Sequence, residues 1–181
     1  KAGDDYVAIE ANTLNFASGE TSHTIEITIN ADTLDEGEAE QFYLYLSNPV
    51  KATLADNRGT VTITDDDDPP ALSLADITIL EGNTGTQTLQ FTLTLTTASG
   101  TWVKVDYATQ DDTATAGSDY LALNPRTLTF NPGEIQKNIN VTINGDYLYE
   151  ENQEQFWLNL SNPINTTLTK TQAVAVIIDD D

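Results

Sequence analysis

The sequence predicts an all-β chain: immunoglobulin-like antiparallel β-sandwich units in tandem, the first truncated at its N-terminus. Three observations predict it. Apolar residues alternate with Thr, Asn and Gln in run after run, the period-2 pattern of half-buried strands. Turn sequences such as EGNTG, TASG, NPGE and SNP separate these runs, at a spacing of about seven strands per ~110 residues that suits a two-sheet sandwich. Finally, residues 1–67 align onto 115–181 without a gap, with close to half of the positions identical.

In the complete unit, strands are expected near 72–80, 87–96, 102–109, 126–130, 136–144, 154–160 and 172–179. The first ends at EGNTG. Leu89, Phe91, Leu93 and Leu95 alternate with Gln90 and threonines in the second, and the third opens after TASG. RTLTF runs into the NPGE turn. Ile139, Val141 and Ile143 alternate with Asn138, Asn140 and Thr142. Phe156, Leu158 and Leu160 alternate with Trp157 and Asn159, and Ala175 and Ile177 form the inward face of the last strand.

The repetition also sets the domain organisation. AGDDY at 2–6 returns as AGSDY at 116–120, NTLNFASGE as RTLTFNPGE, and EQFYLYLSNP as EQFWLNLSNP. Residues 1–68 therefore read as the back part of one unit and 69–181 as a complete unit. Pro69-Pro70 marks the joint, since tandem prolines cannot continue a ladder and stiffen a connection. The first copy retains only the last four strands, so one inner sheet face is expected to be open and to favour self-association or strand exchange. Lys1 falls mid-pattern, as in a piece of a longer protein.

Composition narrows the function. The 181 residues carry 7 Lys+Arg against 29 Asp+Glu, a net charge of −22, with no Cys and no Met. Such a chain repels nucleic acid and anionic membrane surfaces, and has neither disulfides nor thiolate metal sites. No apolar run is long enough to insert across a bilayer, and no signal peptide is expected within these residues. The acids are clustered: GTVTITDDDDPP and AVAVIIDDD both end an alternating strand in consecutive aspartates with no basic residue beside them.

TQDDTATAGSDY, LTFNPGEIQKNINVTINGDYLYEENQEQFWLNLSNP and AVIIDDD together resemble the Calx-β domain, a module of sodium–calcium exchangers, an integrin β4 segment and repetitive bacterial surface proteins. In its calcium-binding members the ions sit at one end of the sandwich. The resemblance implies Glu81, Asp111, Asp146, Glu150, Asp179, Asp180 and Asp181 as metal ligands in the complete unit. In the first copy it implies only Asp32, Glu36, Asp65, Asp66 and Asp67, a weaker site or none. Asp112 stands where glycine is usual, and either distorts its loop or adds a ligand.

The chemistry fits Ca²⁺ as the cofactor. Calcium takes six to eight oxygen ligands, largely carboxylate and carbonyl, in tolerant geometry. Two carboxylates 4 Å apart repel by about 4 kcal/mol at an effective dielectric near 20. A few such pairs rival the whole stability of a domain, about 5–15 kcal/mol. Roughly two to four divalent ions would balance the charge and stabilise the fold by mass action.

No enzymatic activity is expected. His23 is the only histidine, and no nucleophile–base arrangement, zinc spacing or phosphate loop can be assembled. Val174, Val176 and Ile178 replace the first copy's Thr60, Thr62 and Thr64 on an outward face shared with Trp157, a candidate contact for a neighbouring repeat or protein partner. The Thr-, Asn- and Asp-rich, Cys-free composition points to an extracellular, adhesive calcium-binding module in a multi-repeat surface protein. A cytoplasmic calcium sensor attached to an exchanger is the alternative, and a calcium-independent interaction module a third.

Overall fold

The computed structural model describes every residue except Glu38, Glu151 and Asn152, and its described residues form strands and no helix. The chain forms two compact units, Lys1–Thr33 with Ala39–Thr64, and Leu34–Glu38 with Asp65–Asp181.

In the first unit, β1 (Glu40–Tyr45) and β2 (Arg58–Ile63) pair antiparallel from Glu40↔Ile63 to Tyr45↔Arg58. Two of the four expected strands are not formed as ladders. Residues 12–16 and 22–30, the counterparts of 126–130 and 136–144, contribute only the bridge Tyr6↔Ile29. The reason is the missing neighbours: their counterparts pair with strands that residues 1–64 do not contain, and a strand without a partner leaves its N–H and C=O groups to water. Val7, Ile9, Leu14 and Phe16 remain 53%, 46%, 40% and 57% exposed, so the inward face is open, as expected. Local chemistry persists nonetheless. Tyr6 stacks on Phe42 with ring centroids 3.9 Å apart, and Asn30 Nδ2 donates to Asp4 O at 2.8 Å.

The second unit is a two-sheet sandwich. Its strands are β3 (Ala71–Leu74), β4 (Ile77–Leu80), β5 (Gly85–Leu95), β6 (Val103–Asp111), β7 (Arg126–Phe130), β8 (Gln136–Gly145), β9 (Glu154–Ile164), β10 (Thr167–Leu168) and β11 (Gln172–Ile178). One sheet runs β10-β3-β5-β8, the other β4-β11-β9-β6-β7. Most pairings are antiparallel, but β3 pairs parallel with β10 and β4 parallel with β11. The single strand expected at 72–80 is thus two, one in each sheet. At the crossing, Asp76 Oδ1 accepts from Val174 N at 2.7 Å and from Lys170 Nζ. A side chain there takes the place of a ladder acceptor while the backbone changes sheets.

Alternation places the core as the sequence implies. Leu89, Phe91, Leu93, Ile139, Val141 and Ile143 from one sheet face Val103, Val105, Phe156, Leu158, Ala175 and Ile177 from the other, all buried. Phe91 and Phe156 meet edge to face, centroids 6.5 Å apart, across the two sheets. Burying each large apolar side chain stabilises the fold by about 1.5–3 kcal/mol. On the outer face, half-buried Trp157 lies opposite Val174. Tyr120 closes one end of the core, stacked on Phe156 at 4.1 Å, the counterpart of the Tyr6–Phe42 pair.

Candidate metal centre

Five chain segments converge on the end of the sandwich that Tyr120 closes. β4 runs into Glu81, β8 into Asp146, and β11 into Asp179, while β9 starts at Glu154. After β6, the turn Thr115–Tyr120 folds back against β8 through Tyr120↔Ile143 and Asn144 N→Asp119 O at 2.9 Å. Strand ends fix each backbone, so the side chains are delivered by rigid elements.

Asp119, Glu150 and Glu154 can bring one carboxylate oxygen each to within 4.8 Å of one another. Asp119 is buried and Glu150 and Glu154 are half-buried. Asp119 and Glu154 were not among the acids implied by the sequence resemblance. A signal existed, because both acids recur in the repeat as Asp5 and Glu40.

Electrostatics mark the group as charge-frustrated. Burial, then the charges of Glu150, Asp146, Asp179 and Asp119, push Glu81 up to about 7, though it is 7% exposed. Burial and the neighbouring Asp119, Glu150 and Glu81 push Glu154 up to about 7 as well, and a hydrogen bond with Asp119 adds to the effect. Glu150 is raised by burial, then by Asp119, Asp146 and Asp179. Among the described residues, no ion pair brings a lysine, arginine or histidine to any of these four carboxylates. Desolvated like charges without a counter-ion resist ionisation, and a divalent cation is the group that would relieve them.

The remaining acids shape the loops. Asp179 Oδ2 accepts from Glu150 N at 2.9 Å and its Oδ1 from Asp181 N at 2.9 Å, and these N–H groups hold its carboxyl below the usual range. Asp180 Oδ1 accepts from Gly82 N at 2.8 Å, and Asp181 reaches Asn83. Asp146 Oδ1 accepts from Leu148 N at 2.7 Å. Asp111 braces the turn that carries Asp119: its Oδ1 takes Ala116 N at 3.0 Å and the Tyr120 hydroxyl. Asp112 directs its carboxylate to Gln155 Nε2 at 2.6 Å.

The first copy's acids are divided. Asp32 lies in the first unit, while Glu36 and Asp65–Asp67 lie in the second. Asp65 repeats the Asp179 pattern, accepting Glu36 N at 2.8 Å and Asp67 N at 3.1 Å.

The Calx-beta domain family model matches residues 1–67 and 65–181. The chain belongs to the Calx-beta domain family. Sodium/calcium exchanger 1 of Canis lupus familiaris is 50% identical over 60 residues, 33% of this chain and 6% of the exchanger. Sodium/calcium exchanger 2 of Mus musculus is 47% identical over 58 residues, 32% of this chain and 6% of that protein. The chain therefore spans a small part of these relatives' length. Among solved structures, the apo-form Calx CBD1 domain superimposes with a TM-score of 0.55 at 25% identity, covering 63% of this chain and 100% of that one. The calcium binding domain CBD12 of CALX1.1 gives a TM-score of 0.53 at 26% identity, covering 61% of this chain and 46% of that one. The Calx-beta fold accounts for the sandwich and for the repetition along the chain.

Proposed function

We propose that this Calx-beta chain is a non-catalytic calcium-sensing module of the kind carried by sodium/calcium exchangers, with its principal site in residues 69–181. Asp119, Glu150 and Glu154 hold the ion, with Glu81, Asp146 and the Asp179–Asp181 run completing an all-oxygen set. The observation that carries the reading is the convergence of Asp119, Glu150 and Glu154 beside buried Glu81, with no basic counter-charge among the described residues. Carboxylate oxygen donors of this kind favour calcium over softer metals.

The exchanger relatives support a cytoplasmic setting. The extracellular adhesive role expected from composition has no comparable support, because Thr- and Asn-rich strands without cysteine suit either compartment. Glu36 and Asp65–Asp67, within the second unit, are at most a weak additional site.

Calorimetric titration of the full chain with Ca²⁺ tests this. A sensor binds in the range of about 10⁻⁷–10⁻⁵ M, whereas an extracellular structural site lies near ~10⁻⁴–10⁻³ M. No heat of binding, with a melting temperature indifferent to chelator, would leave a calcium-independent interaction module as the correct reading.

A further inference from the structure

We infer that the loop Asp146–Glu150 is a calcium-gated docking tip for an anionic phospholipid surface. The inference rests on the calcium-sensing reading. Tyr147, Leu148 and Tyr149 are three consecutive large side chains that are 72%, 67% and 74% exposed. Most other large side chains of the second unit are buried or half-buried, and the aligned residues of the first copy are Thr33, Leu34 and Asp35. Nothing in the fold of the second unit requires this loop to be apolar.

The loop is also tied at both ends to the acidic group. Asp146 Oδ1 accepts from Leu148 N, and Glu150 N donates to Asp179 Oδ2. The three apolar side chains are therefore carried between residues that would hold the ion. Two tyrosines flanking a leucine have the composition of an interfacial anchor: the rings sit at headgroup depth while the aliphatic chain reaches the acyl boundary. Three adjacent side chains this exposed suit a deformable lipid surface, which needs no matching pocket.

Charge makes the contact conditional. Metal-free, the tip carries Glu81, Asp119, Asp146, Glu150, Glu154 and the Asp179–Asp181 run, on a chain of net charge −22, and an anionic leaflet repels it. Roughly two to four calcium ions would cancel half or all of those eight charges and leave an ion able to share a coordination position with a lipid phosphate. The exclusion of anionic membranes drawn from composition thus holds for the metal-free chain and lapses locally on calcium binding.

The experiment is co-sedimentation of the full chain with vesicles of equal parts phosphatidylserine and phosphatidylcholine, with Ca²⁺ and then with excess chelator. Calorimetry of calcium alone runs in parallel. Sedimentation with calcium and release by chelator are expected. The Tyr147→Ser/Leu148→Ser/Tyr149→Ser variant should bind vesicles about tenfold or more weakly, since three apolar side chains lose their burial, while binding calcium as before. Calcium binding without vesicle binding overturns the inference and leaves the sensor reading standing. So does equal vesicle binding by the variant, or calcium-dependent self-association in place of vesicle binding, which would make the loop a protein contact. Absence of calcium binding in calorimetry overturns both.

Discussion

Asp119 sits in a turn that looks, in sequence, like a structural element only. Its Oδ2 accepts from Thr115 N at 2.6 Å and Thr115 Oγ1 at 3.3 Å, and the carboxylate still faces Glu150 and Glu154. Removing one charge should have opposite effects in the two states. Asp119→Asn or Glu154→Gln is expected to weaken calcium at least tenfold in calorimetry and, without metal, to raise the melting temperature of the second unit by relieving repulsion. Gly145 gives a second residue-level test. A Cβ there would lie 2.1 Å from Gly82 O and 3.0 Å from Glu81 O. Gly145→Ala must displace the segment that delivers Glu81, at a cost of about 1–3 kcal/mol in stability and a loss of calcium affinity. The first copy carries Ala31 at this position. The acids ending strands and filling the Asp146–Glu150 loop were legible as a motif. Asp119 and Glu154 escaped notice because their turn and strand start explained them without a metal.

Strand positions were legible where the strands they pair with are in the chain. β7 falls on the expected 126–130, and β8 and β11 end within one residue of expectation, because alternation over buried Ile139, Val141, Ile143, Ala175 and Ile177 allows one register only. The break between β3 and β4 was not legible, since period 2 says which side is buried but not which sheet a strand joins. Residues 12–16 and 22–30 failed for a different reason: their pattern is intact and their partners are not present. The β3–β4 crossing has a specific dependence. Asp76→Ala removes the acceptor of Val174 N and the partner of Lys170, and should destabilise the second unit by about 1–3 kcal/mol. Faster hydrogen exchange at the Val174 amide, with the β5–β8 amides unchanged, would locate the loss at this edge.

Across the whole molecule, the raised carboxylates make stability depend on pH in a direction that calcium reverses. Glu81 and Glu154 ionise near 7 when folded but near ~4.5 when unfolded, so the folded state holds extra protons between those values. Metal-free stability is therefore fully present below about pH 4.5 as far as these groups are concerned, and falls as pH rises through about 7. Thermal melts in chelator are expected to show a lower melting temperature at neutral than at mildly acidic pH, and saturating calcium to remove or invert that slope. A chelator melt that rises monotonically from acid to neutral pH would contradict the desolvated cluster. The Asp179 clamp has a kinetic consequence. Its grip on the Glu150 N–H holds the Asp146–Glu150 segment in place before an ion arrives, so capture involves no slow ordering step. Occupancy should then follow a calcium transient at the speed of encounter, and the lifetime of the bound ion alone would set how long the signal outlasts its cause.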